Sequence, residues 1–249
     1  MATASSCNTR EKKSEKLQES EMVRVCTSVT IMTFYDFLNL LYLILIPGAS
    51  SGIGKGTAVR FAREGYALSL SGRDEEALSE TAKLCRGSRS CWCYVVIVTA
   101  GDLCIQSNAQ KLLDNTIKQY QHVHTLCCPT DKASHFPHII KSRGTVVNVS
   151  SIAGLCAFAG ITYYCMSKSA LDQFTKCLAL EMGPHGVRVN SKFRSFKFLQ
   201  KGKSTHVLGR VGEVSEVAEA ILFLASEKSS FTTGELLKVD GGKGLICPL

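Results

Sequence analysis

Much that would mark a particular kind of protein is missing from this sequence. There is no paired Cys-x-x-Cys and no Cys/His spacing of the kind that encloses zinc. The twelve cysteines, with Cys91 and Cys93 in a Cys-x-Cys and Cys127 beside Cys128, are therefore not read as a metal site. No signal peptide is recognisable, so the chain is placed in the cytosol with reduced thiols, most of them acting as small buried hydrophobes. The net charge of +8 is spread along the chain, and no basic stripe is interleaved with aromatics. That argues against nucleic acid and leaves a small anionic ligand open. No internal repeat or low-complexity linker divides the 249 residues, and a hydrophobic share of 45% is enough for one sizeable core. One α/β domain is the expectation.

The amino-terminal stretch is of two kinds. Residues 1–21 (MATASSCNTREKKSEKLQESE) are polar and charged and read as a disordered tail. From Val29 to Ile46 the chain is nearly apolar and about as long as a membrane span. Asp36 and Asn39 interrupt it, and an Asp near the centre of a span costs roughly 2.5–3.5 kcal/mol. Its last residues, Leu40 to Ile46, also run directly into a glycine-rich turn, where a buried strand is wanted. The reading is an atypical leader over residues 1–39 and a folded domain over 40–249, with a membrane anchor at Val29–Asn39 as the lesser alternative.

That turn lies in PGASSGIGKGTAVRFAREGYALSLSGRD. Gly48, Gly52 and Gly54 follow the strand, a helix with Ala58, Val59, Phe61 and Ala62 on its inner side ends at Gly65, and a second strand is expected at Ala67–Ser71. Strand, glycine turn, helix and strand form the βαβ unit in which the amides of a helix N-terminus meet a pyrophosphate. A tight turn that merely needs glycine is the alternative. Farther on, helices are expected near Asp74–Leu84, Ser107–Tyr120, Ser134–Ser142 and Ser215–Ala225. Strands are expected near Cys93–Val98, Val123–Cys127, Thr145–Ser150, Val187–Asn190 and Leu236–Val239. This alternation describes an open parallel sheet with helices on both faces.

In ITYYCMSKSALDQFTKCLALEMG, Ile161–Gly183, Tyr164 stands four residues before Lys168, a spacing that stacks both side chains on one helical face. Ser151, in GTVVNVSSIAG, lies thirteen residues before Tyr164, and GRVGEVSEVAEAILFLASEKSSFTTGELLKVDGG closes the chain. With the glycine turn, these four segments in this order resemble the short-chain dehydrogenase/reductase family over roughly residues 40–249.

The resemblance implies a Rossmann-like, doubly wound sheet and an NAD(P)-dependent oxidoreductase that interconverts a carbonyl and a secondary alcohol. A free phenol with a pKa of about 10 is a poor proton partner at neutral pH unless a cation favours the phenolate. By resemblance, Tyr164 is the general acid/base, Lys168 supplies that cation and holds the nicotinamide ribose, and Ser151 hydrogen-bonds the substrate oxygen. Strand-end capping is assigned to Ser150 rather than Ser151. Gly48, Ser50, Ser51, Gly52, Ile53 and Gly54 would line the dinucleotide, and Asp102 resembles the family's adenine-contacting aspartate. Gly72 stands where NAD-dependent members usually carry Asp, and Arg73 follows it, so NADP(H) is favoured over NAD. Asp74 is read as a helix N-cap. Asn148, in a glycosylation sequon, is read as buried. Family members commonly assemble through the Tyr164 helix and the last strand, so a homo-oligomer is expected, with the apolar GLICPL at a possible subunit contact.

Departures from the family pattern set the opposite expectation. HTLCCPTD replaces Asn-Asn-Ala-Gly, only Pro129–Gly144 precedes the serine strand, and no catalytic Asn is assignable. After HGVRVNS the chain reads KFRSFKFLQKGKSTHVLGR, without Asn-Pro-Gly or most of a lid, and Pro47 replaces a Thr. Loss of a lid predicts weak turnover or none. The second reading is therefore a catalytically silent, degenerate member that retains nucleotide binding or oligomerisation.

Overall fold

The computed structural model describes residues 42–87, 96–127, 136–194 and 205–246. The expected leader, the tail at 1–21, the anchor alternative, the missing lid, the second half of the HTLCCPTD segment and the end of GLICPL lie outside the described residues. Seven parallel strands form one sheet: β1 (Leu43–Pro47), β2 (Ala67–Gly72), β3 (Val96–Ala100), β4 (Thr125–Cys127), β5 (Thr145–Ser151), β6 (Arg188–Arg194) and β7 (Leu236–Val239). Their order across the sheet is β3-β2-β1-β4-β5-β6-β7, the doubly wound arrangement. The helices are α1 (Gly52–Arg63), α2 (Glu75–Gly87), α3 (Gln106–Tyr120), α4 (Phe136–Ser142), α5 (Thr162–Met182), α6 (Val214–Ala225) and the short α7 (Lys243–Ile246). Among the described residues no helix is long and apolar enough to cross a membrane.

The strands are short apolar runs buried by helices, as in a parallel sheet covered on both faces. Leu43, Ile44, Leu45 and Ile46 of β1 are all buried, so this end of the apolar stretch is core. One face carries an apolar cluster in which Phe61 and Ala62 of α1, Leu78 and Ala82 of α2 and Val217, Ile221 and Leu224 of α6 meet Ile44, Leu68 and Val147 of the sheet. On the other face, buried hydrogen bonds tie sheet to helix. Ser69 and the Thr116 hydroxyl of α3 share one at 2.7 Å, and Asn148 Nδ2 donates to Thr175 Oγ1 of α5 at 2.8 Å. Asn148 is fully buried, in keeping with the reading of its sequon. Helices α1 and α6 approach so closely that a Cβ at Gly56 would stand 2.2 Å from Val214 Cγ1.

The main departure from the expected elements is β6. It does not stop at Asn190 but continues to Arg194, with Asn148–Ser151 of β5 in register with Ser191–Arg194. With no proline after Ser191, every backbone N–H in this stretch remains available to the ladder. At its other end, Arg188 Nη1 donates to Leu224 O and Ser229 Oγ, and Nη2 to Ser226 O, so β6 is tied to the carboxyl end of α6.

Candidate active site

The order of the sheet reverses between β1 and β4, and the crevice beyond their carboxyl ends is where a doubly wound sheet presents a ligand site. The glycine turn leaves β1 here. Gly48 and Gly52 have φ of 67° and 55°, the left-handed region that a Cβ disfavours. A Cβ at Gly54 would stand 2.1 Å from Gly48 O and 2.9 Å from Ala49 N, so no side chain fits between the turn and α1. Ala49 N donates to Ser71 O at 2.9 Å and binds the turn to β2. Ser51 is the N-cap of α1 but caps it with no side-chain hydrogen bond, and the first turn carries no acidic residue. The first amides of α1 are thus aimed at a cradle that suits a phosphate group. Ser50 and Ile53 are half-buried around the same turn, and Ser51 and Gly52 are exposed.

At the ends of β2 and β3, Gly101 N donates to Gly72 O at 2.9 Å. A Cβ on Gly72 would stand 3.1 Å from Ser50 Oγ, so an aspartate there would press on the cradle. Arg73 beyond it is exposed. Asp102 accepts from Cys104 N at 3.0 Å; that bond holds its carboxyl below the usual range, and the charge of Arg73 adds to the effect. Asp74 Oδ1 accepts from Ala77 N at 2.9 Å, the N-cap read from sequence.

The second group of residues stands two strands away, where β5 meets the amino-terminal half of α5. Lys168 Nζ donates to Val149 O at 3.0 Å and lies 5.7 Å from the centre of the Tyr164 ring. The four-residue spacing therefore places phenol and ammonium together, both half-buried, at the end of a strand. Ser151 is the last residue of β5 and is buried. Its Oγ accepts from Ala153 N at 3.2 Å, capping the 3-10 turn Ile152–Gly154. The capping role assigned from sequence to Ser150 thus belongs to Ser151, because the chain turns one residue later than expected. Accepting that bond leaves the Ser151 hydroxyl proton to donate.

Two side chains close to this site escaped the sequence reading. Asp172 follows Lys168 by one more helical turn and is only 5% exposed. The same four-residue rhythm, Tyr164, Lys168, Asp172, is visible in sequence, but not its burial. Lys192 of β6 is fully buried at the register of Val149, in the segment that departs from the family pattern.

Comparison with known proteins agrees with this geometry. Residues 42–129 match the family described as short chain dehydrogenase, and residues 128–243 match that described as enoyl-(acyl carrier protein) reductase. The chain is 31% identical over 252 residues to L-xylulose reductase of Caenorhabditis elegans, covering 84% of this chain and 97% of that protein. It is 30% identical over 240 residues to 3-oxoacyl-[acyl-carrier-protein] reductase of Thermotoga maritima, covering 80% and 96%. The crystal structure of glucose dehydrogenase of Caenorhabditis elegans in the apo form superposes with a TM-score of 0.75 at 30% identity, covering 82% of this chain and 98% of that one.

Proposed function

The chain belongs to the short-chain dehydrogenase/reductase family, and on that premise we propose that it interconverts a small carbonyl compound and a secondary alcohol with Tyr164 as general acid/base. The observation that carries this reading is the contact set of Lys168, held by Val149 O at 3.0 Å and 5.7 Å from the Tyr164 ring. The glycine cradle fits a nicotinamide dinucleotide, because atoms are missing where a pyrophosphate needs room and α1 offers uncapped amides. When bound, that cofactor gives or takes the hydride.

The chain's own residues do the rest. Gly48, Ser50, Ser51, Gly52, Ile53 and Gly54 hold the phosphates, and Asp102 the adenine end. Lys168, fixed at Val149, holds the ribose hydroxyls and presents its charge to the phenol. In reduction Tyr164 gives its proton to the substrate oxygen as that oxygen takes on negative charge; in oxidation it removes the proton from the alcohol. Ser151 donates its remaining hydroxyl proton to the same oxygen. We assign NADP(H) rather than NAD to this site, since Arg73 stands exposed just past the end of β2 and Gly72 before it carries no carboxylate to oppose a 2′-phosphate.

Residues 40–249 act as one dinucleotide-binding and catalytic domain behind a separate leader, residues 1–39. We place the protein in the cytoplasm, consistent with the free thiols of Cys85, Cys104, Cys165 and Cys177. We further infer a homo-oligomer formed through α5, where Tyr163, Met166, Phe174 and Leu180 are exposed at helical spacing. The test is nucleotide absorbance with purified protein and a panel of ketoses, dicarbonyls and acyl ketones. Turnover should be faster with NADPH than NADH and should fall about 10²–10⁴-fold in Tyr164→Phe. Stabilisation by NADPH with no turnover on any substrate would instead support the silent, nucleotide-binding member of the family.

A further inference from the structure

After β7 the chain comes back to the neighbourhood of Ser151. Gly241 and Gly242, at φ of 58° and 78°, turn it out of the sheet into α7, and a Cβ at Gly244 would stand 2.8 Å from Ile152 Cδ1. Helix α7 is thus laid on the residue that follows Ser151. Its first residue, Lys243, is only 6% exposed, and the ammonium lies 5.6 Å from the centre of the Phe158 ring, on the connection between Ser151 and Tyr164. An aromatic face attracts a cation without neutralising it. Among the described residues no carboxylate forms an ion pair with Lys243. The acid closest in sequence, Asp240, is taken by backbone: its Oδ1 accepts from Gly242 N at 3.0 Å and its Oδ2 from Gly244 N at 2.9 Å. A lysine buried to this extent ordinarily has a paired charge. Around it, Leu155 and Ile161 of the connection and Leu245 and Ile246 of α7 are exposed apolar side chains.

We propose that Lys243 is the anion receptor of the substrate side of this site, and that the substrates are oxo acids with an apolar body. The free carboxylate meets the Lys243 ammonium, and the body lies on Leu155, Ile161, Leu245 and Ile246. This rests on the reading of Ser151 and Tyr164 as the groups that meet the substrate oxygen. Those two residues bound the connection 152–163, and Ile152 and Phe158 within it both stand against α7. Lys168 is not available to a carboxylate in the same way, since its ammonium is held by Val149 O. The two features select together. An uncharged ketone leaves the ammonium without its anion, a small oxo acid leaves the apolar side chains in water, and a polyhydroxylated ketose sets hydroxyls against side chains that cannot pair with them.

The test does not need turnover. The probes are 2-oxo-4-phenylbutanoate, its methyl ester, which removes the charge, and pyruvate, which removes the apolar body. Each is titrated calorimetrically into the full chain in the presence of NADP⁺, where no hydride is available and a ketone binds without being consumed. The phenyl acid should bind about tenfold to a hundredfold more tightly than its ester, the strength of one charge-assisted hydrogen bond, and that preference should vanish in Lys243→Met. Pyruvate should bind more weakly than the phenyl acid in both proteins. If Lys243→Met does not fold, Lys243→Gln carries the same expectation, and the acid–ester difference in wild type still decides. Equal binding of acid and ester by wild type, an acid preference that survives loss of the ammonium, or no binding of the acid overturns the proposal. A variant that loses mass in solution while binding the acid as wild type does would give this face to a second copy of the chain, and overturns it too. An acid preference lost in Lys243→Met, in a protein that reduces neither ketone with NADPH or NADH, upholds Lys243 while the proposed function fails.

Discussion

The two halves of the site are built from different material. Around β1 and β2, recognition is made of backbone: two left-handed glycines, a third with no room for a Cβ, and a helix N-terminus. Around β5 and α5 it is made of side chains that are half-buried or buried: Lys168 on a carbonyl, Ser151 on an amide, Asp172 without a partner. The first half is sensitive to atoms that are added. The second is sensitive to charges and hydroxyls that are taken away. A buried polar side chain can be removed and leave the fold intact, whereas a cradle defined by missing atoms cannot be filled without moving the chain.

The comparison is broken most severely by Gly54→Ala. The added methyl meets Gly48 O and Ala49 N, neither of which belongs to a flexible side chain, so the turn must shift. We expect a cost of about 1–3 kcal/mol in unfolding free energy and loss of nucleotide-dependent stabilisation, read by thermal unfolding with and without NADPH. Retained stabilisation would show that the cradle is not where the nucleotide binds. A smaller and more selective effect is expected from Arg73→Ser. A charge-assisted hydrogen bond is worth about 1.5–3 kcal/mol, so NADPH affinity should fall roughly tenfold to a hundredfold while NADH affinity changes little. Equal losses for both nucleotides would remove Arg73 from the 2′-phosphate.

The smallest effect expected lies at the opposite, amino-terminal ends of β1 and β4 and separates site from scaffold. His124 Nδ1 accepts from Leu43 N at 3.2 Å, and burial first, then His122, lowers its pKa to about 4. Because the folded value lies below the unfolded one, the contribution is complete above about pH 6.5 and is lost as pH falls toward 4. Unfolding in urea should therefore show stability declining by about 1–2 kcal/mol over that window, and His124→Asn should flatten the decline. An unchanged slope would place the acid sensitivity elsewhere.

Much of the architecture was legible because a covered parallel sheet writes itself as short apolar runs separated by helical periodicity. Leu236–Val239 was placed to the residue, and Ala67–Ser71 fell one residue short of β2. The end of β6 was not legible, since Lys192, Phe193 and Arg194 carry no strand pattern of their own and are held by the ladders on both sides. The pairing of Tyr164 with Lys168 followed from helical spacing alone. The cap at Ser151 instead of Ser150 did not, because it depends on where β5 turns. Asp172 was hidden for a related reason: the four-residue rhythm around it fits a solvated face as well as a buried one, and only the packing of Gly154 decides between them.

The most direct test of two separable halves is calorimetric titration of NADPH into wild type and Tyr164→Phe. We predict dissociation constants within a few-fold of each other, because in the proposed function the nucleotide is held by the backbone cradle and the phenol serves the chemical step. No binding to wild type, or binding abolished in Tyr164→Phe, would contradict the account.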